Sequence, residues 1–124
     1  MKVCDSKWKI VFGHHPVYAH TNKKIAERED MKRNLLPLLD KYCIDYYICG
    51  HIHNFQYIIP DDSHTKYIVN TSGARIRIPQ PIEGTVFCEG TVGFSVFSIS
   101  ENNIEFYFLN KNGDVIYHGY SDSF

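Results

Sequence analysis

Trp8-Lys9-Ile10-Val11-Phe12-Gly13-His14-His15-Pro16-Val17-Tyr18, read together with Asp45-Tyr46-Tyr47-Ile48-Cys49-Gly50-His51-Ile52-His53-Asn54, decides the fold. In each stretch a short apolar run ends at a glycine, and a histidine follows. Runs of this length bounded by breakers read as buried strands, here Trp8 to Phe12 and Asp45 to Cys49. The residues from His14 to about Lys24 hold too much Gly, His and Pro at their start for a helix and read as a loop. Glu27 to Tyr42 reads as a helix, with Leu35, Leu36, Leu38 and Leu39 as its apolar face and Glu27, Glu29 and Asp30 near its positive end. Pro37 predicts a kink there or the start of a second short helix. Strand, helix, strand in that order predicts a crossover unit with two parallel strands.

Outward from this unit the chain turns β-rich. Phe55 to Ile59 reads as a third strand, Pro60-Asp61-Asp62-Ser63 as a turn and Tyr67 to Asn70 as a fourth strand. Gly73, Pro79, Pro81, Gly84 and Gly90 predict one long, mobile loop from Gly73 to about Gly90. Phe94, Val96 and Phe97 lead to Ile99, a turn follows at Glu101-Asn102-Asn103, and Ile104 to Leu109 forms the next strand. Asn112-Gly113 signals a hairpin before Val115-Ile116-Tyr117. The expected fold class is α/β: a mixed sheet with a parallel first half and an antiparallel C-terminal meander.

Composition removes several alternatives. The chain has 124 residues, enough for one domain with a modest core, and its 44% apolar and 15% aromatic content calls for packing rather than disorder. A net charge of -1 gives no electrostatic basis for nucleic-acid binding. No apolar stretch approaches the roughly 20 residues of a membrane-spanning helix. Met1 to Asp5 does not look like a signal peptide. Cys4, Cys43, Cys49 and Cys88 form no C-x-x-C pair, so no structural zinc site is expected. Cys43 and Cys49 read as buried free thiols.

The histidines carry the chemistry. Two parallel strands that each end in Gly-His bring His14 and His51 to the carboxyl edge of one sheet, where open α/β sheets bind ligands. His53 lies two residues on and, in a turning loop, is expected to point at a neighbouring spot. Imidazole is a neutral ligand for zinc, iron, copper or manganese. The glycines are expected to let the backbone approach a metal without a Cβ in the way. His64 and His118, beside turns and strand ends, read as structural or exposed.

These residues resemble a known family. Gly13-His14-His15-Pro16-Val17 resembles the Gly-His-x-Pro-Val motif of purple acid phosphatases, notably the tartrate-resistant type, within the calcineurin-like metallophosphoesterases. Gly50-His51-Ile52-His53-Asn54 resembles their Gly-His-x-His-Asn motif. Leu35-Leu36-Pro37-Leu38-Leu39 is similar to the family's Pro-Leu-Leu helix, and Thr71-Ser72-Gly73-Ala74 to its Ser-Gly-Ala segment. The resemblance runs in order from Trp8 to Tyr117.

The resemblance implies the C-terminal half of an α/β/β/α sandwich and a binuclear centre of iron beside iron, zinc or manganese. It assigns His14 and His51 to the divalent metal and His53 to the ferric ion. It implies hydrolysis of phosphate monoesters, with His20 as the candidate proton donor; by their own positions, His15 beside a ligand is expected to face the substrate or the solvent, as a second catalytic candidate, and Asn54 to shape the turn and hold the loop or to touch the phosphate. Lys23 falls nearer than His20 to the family's proton-donor spacing. The family's earlier motifs, which bring aspartate, tyrosine and asparagine ligands, do not occur here. Residues 1–124 are therefore expected to be the C-terminal portion of the domain, inactive alone, with the missing N-terminal half as a partner. The implied setting is secreted, lysosomal or vacuolar. The competing expectation is a non-catalytic scaffold or membrane-anchor relative, such as the glideosome-associated membrane proteins. Another metallophosphoesterase, such as a protein phosphatase or nucleotidase, is the third.

Overall fold

The alternation of large side chains along the central strands explains the layers. In the computed structural model, which describes residues 5–21 and 26–122, the elements are β1 (Ile10–Phe12), α1 (Ala26–Asn34), α2 (Leu36–Lys41), β2 (Tyr46–Cys49), β3 (Phe55–Ile58), β4 (Lys66–Val69), β5 (Thr85–Glu89), β6 (Gly93–Ile99), β7 (Asn103–Asn110) and β8 (Val115–Asp122). Cys4, Lys23, Lys24 and the side chain of Glu27 lie outside the described residues. All four residues of β2 are buried, as befits a parallel strand covered on both faces. Tyr47 and Cys49 face a helix-side core with Leu39, Ile44, Ile52 and Val69. Tyr46 and Ile48 face an opposite core with Phe55, Tyr57, Ile68, Ile104, Phe106 and Phe108.

The first sheet has the order β1-β2-β4-β3-β5, and the second has the order β6-β7-β8. β1, β2 and β4 run parallel, in the register Phe12 with Ile48 and Ile48 with Ile68. β3 and β5 complete the first sheet antiparallel. The second sheet is the expected meander, antiparallel throughout. The two sheets are joined by aromatic packing: Phe55 stacks on Phe108 at 4.5 Å, and Tyr57 meets Phe106 edge-on at 4.9 Å. Opposite Phe106, Gly119 leaves the room for its ring: a Cβ there would come within 2.0 Å of it. At the open end of the sandwich, Tyr46 and Lys66 reach across to the Ser121 hydroxyl.

As Pro37 predicts, a second short helix starts there: the helix divides at Leu35, and Pro37 enters α2 in its first turn, where its missing N–H costs nothing. Two expectations need amendment. The supposed long loop from Gly73 to Gly90 contains β5, Thr85-Val86-Phe87-Cys88-Glu89, which pairs with β3 through a register irregularity between Tyr57 and Ile58, and the neighbouring prolines obscured it. Cys43 is exposed rather than buried, because it ends α2 with left-handed backbone at φ 48°. Cys43, Cys49 and Cys88 are free thiols. Among the described residues no helix is long and apolar enough to cross a membrane.

Phe106 is fully buried where both sheets meet. Phe106→Ala in the intact protein is expected to cost about 3–5 kcal/mol of unfolding free energy, measured by urea denaturation.

Candidate metal centre

The carboxyl edge of the parallel strands is built by continuing the ladder past the strands. Gly13 N–H donates to Ile48 O at 3.0 Å, and Gly50 N–H donates to His14 O at 3.2 Å. These bonds bring the two Gly-His strand ends into contact. His14 Nε2 and His51 Nδ1 lie 3.0 Å apart. His15 joins them: its ring centroid is 4.2 Å from that of His51 and 5.0 Å from that of His14. Each of the three offers a ring nitrogen, and these nitrogens all lie within 4.8 Å of one another.

His51 and His53 both have left-handed backbone, with φ of 72° and 58°. For residues with a Cβ this costs about 1–2 kcal/mol each, and it survives only where neighbours over-determine it. Ile52, between them, is locked in the helix-side core at 1% exposure, with its N–H bonded to Gly50 O at 2.9 Å. His53 stands outside the three-ring group. Its carbonyl accepts from Arg77 N–H at 3.0 Å, and its Nδ1 is buried without a hydrogen-bond partner among the described residues.

The remaining expected site residues occupy other places. Asn54 is fully buried: Nδ2 donates to Arg77 O at 3.0 Å, and Oδ1 accepts from Gln56 Nε2 at 2.7 Å. Its amide is spent on holding loops together and is not presented to a substrate. His20 belongs to the same network through its backbone: His20 N–H donates to Gln56 Oε1 at 3.2 Å, and Gln56 Nε2 donates to His20 O at 3.3 Å. Its residue lines a cleft of about 590 Å³ with Tyr18, Arg28, Lys32 and Asp40, and none of His14, His15, His51 or His53 lines that cleft. His64 pairs with Asp45 at 3.0 Å, and His118 stacks on Tyr107 at 4.6 Å, both in structural settings.

Two side chains that hold the loops around the rim escape a reading of the sequence. Gln56 is a polar residue in an otherwise apolar strand, fully buried, and its carboxamide pairs with the His20 peptide as a neighbouring strand would. That isolated polarity was the available signal. Tyr47 reads as packing, yet its hydroxyl donates to His15 O at 2.7 Å. Burial pushes that phenol up to about 12, so it remains a donor. The same hydroxyl explains Gly13: a Cβ there would lie 2.1 Å from it. The room spared at Gly13 is thus filled by Tyr47 and not left for a metal. Cys49, next to the rim, is packing as well. Burial raises its thiol to about 12, which keeps it protonated and a poor ligand.

The donor set suits a cation. Two nitrogens at a typical Zn–N distance of roughly 2.0–2.1 Å, set about 90–110° apart, are separated by about 2.9–3.4 Å. The His14–His51 pair, at 3.0 Å, already has that spacing. The strained backbone of His51 and the orphaned Nδ1 of His53 are what ligand loops carry before their cations are counted.

Comparison with known proteins bears on the family and the fold. The family model for calcineurin-like phosphoesterases matches residues 4–55. The chain is thus similar in sequence to the calcineurin-like metallophosphoesterases and, among them, to the purple acid phosphatases. It is 28% identical to purple acid phosphatase 3 of Arabidopsis thaliana over 121 residues, which covers 91% of this chain and 32% of that protein. Its fold is similar to that of a purple acid phosphatase from yellow lupin seeds, with a TM-score of 0.74 at 20% identity, over 91% of this chain and 24% of that one. It is also similar to GAP50, described as the anchor in the inner membrane complex of Plasmodium, with a TM-score of 0.81 at 27% identity, over 95% of this chain and 37% of that one. The chain spans about a third of the length of the curated relatives it matches along most of its own length. The family generally uses a binuclear metal centre.

Removing the Gln56 carboxamide leaves the part-buried His20 N–H and the buried Asn54 Oδ1 without these partners. Gln56→Leu is expected to destabilise the intact protein by about 2–6 kcal/mol in a urea unfolding series, at about 1–3 kcal/mol per orphaned group.

Proposed function

We propose that the chain is the C-terminal portion of a metal-dependent acid phosphatase that hydrolyses phosphate monoesters. Its share of the ligands to a binuclear centre, iron beside iron, zinc or manganese, is His14, His51 and His53. The observation that carries this reading is the 3.0 Å contact of His14 Nε2 with His51 Nδ1 at the carboxyl edge of two parallel strands. When bound, such a pair of cations supplies Lewis-acid chemistry, offsetting phosphoryl charge and lowering the pKa of water.

The chain's own residues orient and hold. His14 and His51 present their ring nitrogens to one point, and the Asn54–Gln56 amides keep the turn bearing His51 and His53 against its neighbours. Of the two catalytic candidates, His15 is the one at this rim, and His20 serves as the backbone anchor of the Gln56 contact. The remaining ligands come, in this reading, from the upstream part of the same domain. Phe12 is 73% exposed on β1, and Phe94 and Val96 are exposed on β6. That apolar border is the surface the upstream part covers. A secreted, lysosomal or vacuolar setting goes with this function.

The test uses the intact protein, stripped with chelator and reloaded with iron and zinc, with p-nitrophenyl phosphate as substrate at acid pH. Hydrolysis is expected to vanish on stripping and return on loading. His51→Ala is expected to lower kcat/KM by at least about 100-fold, since even outer partners of metal ligands are worth about 10–100-fold. A loaded protein without hydrolysis above free-metal controls overturns the reading. The second reading, a non-catalytic scaffold or membrane anchor, is favoured by the structural similarity to the Plasmodium anchor over 95% of the chain. A colourless, metal-free intact protein would support it.

A further inference from the structure

The amino edge of the parallel strands, opposite the histidine rim, carries a second polar cluster. Tyr46 and Lys66 stand side by side in the parallel register of β2 with β4, and both reach the Ser121 hydroxyl on β8. We infer that the Lys66 amine is a nucleophilic site that takes small, flat aldehydes as an imine, in the pocket it lines between the two sheets. The inference goes beyond the proposed function and uses none of its residues.

The geometry supplies access, a wall and a free amine. A pocket of about 340 Å³ is lined by Lys66 together with Lys7, Trp8, Asp45, His64 and Asp122. The Trp8 indole is pinned by its Nε1–H, which donates to Ser100 O at 2.7 Å, so the pocket has a fixed flat wall. Lys66 Nζ donates to Ser121 Oγ and lies 5.6 Å from the centre of the Tyr46 ring. The acids that line the pocket are engaged elsewhere. Asp45 accepts from Lys9 N–H at 2.8 Å and lies 3.0 Å from His64 Nε2, and Asp122 Oδ1 accepts from the Tyr120 hydroxyl at 2.5 Å. Among the described residues Lys66 forms no ion pair.

The chemistry follows from that placement. Burial pushes the Lys66 ammonium below the usual lysine value, and the Asp45 carboxylate opposes this only in part. Burial also raises the phenols of Tyr46 and Tyr57, so both remain neutral neighbours. A desolvated, unprotonated amine is the form of lysine that attacks carbonyls. Its nitrogen lone pair forms the bond to the carbonyl carbon, and the C=O π pair moves to oxygen. Ser121, already hydrogen-bonded to Nζ, relays the first proton from nitrogen to that oxygen. The C–O bond of the carbinolamine then breaks as C=N forms, and the oxygen leaves as water with both amine hydrogens. Nothing is oxidised or reduced.

The experiment reads which lysine reacts. The intact protein is exposed to p-formylbenzoate with sodium cyanoborohydride as the trap, and the adducts are located over time by peptide mass spectrometry. The same labelling is run in urea and on Lys66→Met, whose fold is first checked by circular dichroism. The expected result is a fast adduct at Lys66 in the folded wild type, ahead of Lys7, Lys9 and Lys111. In urea that preference is expected to be lost, and in Lys66→Met the fast incorporation is expected to be lost. Labelling of Lys66 no faster than that of Lys7 or Lys111 in the folded protein overturns the inference. A preference that persists in urea, or fast incorporation that survives in Lys66→Met, overturns it as well. None of these outcomes bears on the proposed function.

Discussion

The parallel pairing of β1 with β2 in one register is the constraint on which the rest depends. Phe12 sits opposite Ile48, and the ladder runs on through Gly13 N–H to Ile48 O and Gly50 N–H to His14 O. Side chains alternate along a strand, so a slip of one residue would exchange the two faces of β2. Tyr47 and Cys49 would then leave the helix-side core, and Tyr46 and Ile48 would leave the aromatic core between the sheets. The same slip would separate His14 from His51. The energy that holds the register comes from the buried apolar faces, and the histidine edge receives its geometry from that packing.

The rim itself is under strain, and its support is polar. His51 and His53 adopt left-handed backbone on either side of Ile52, an anchor in the core. Asn54 and Gln56 tie this turn to the loop at His20 and to the loop at Arg77, every contact being buried or partly buried. Hydrogen bonds buried in this way rigidify when fully satisfied, which is what a ligand-bearing loop requires. Tyr47 fixes His15 in the same manner, with a glycine opposite it because no side chain fits beside its hydroxyl. The residues that position this site therefore outnumber those that point into it.

The apolar surface left on β1 and β6 belongs to the same logic. A parallel strand is ordinarily covered on its faces and flanked by neighbours. β1 pairs with β2 alone among the described residues and carries an exposed phenylalanine. The chain spans about a third of its curated relatives. The proposed division of labour follows: this part carries histidine ligands and their supports, and the upstream part carries the oxygen donors and the cover.

Much of this was legible in the order of residues. Short apolar runs ended by Gly-His mark strand ends, and their repetition on either side of a helix implies parallel strands with both histidines on one edge, because a right-handed crossover leaves little choice. The Asn112-Gly113 hairpin and the proline that divides the helix are local effects, and local sequence suffices for them. β5 stayed hidden because Pro79, Pro81 and Gly84 are breakers in the chain, whereas its pairing with β3 is a contact between distant segments. The grouping of His15 with His14 and His51, the exclusion of His53 from it, and the burial of Asn54 and Gln56 arise from side-chain directions at a rim where three loops meet. No spacing along the chain encodes those directions, since they follow from which neighbour occupies the space: Tyr47 under His15, Ile52 in the core, Arg77 across from His53.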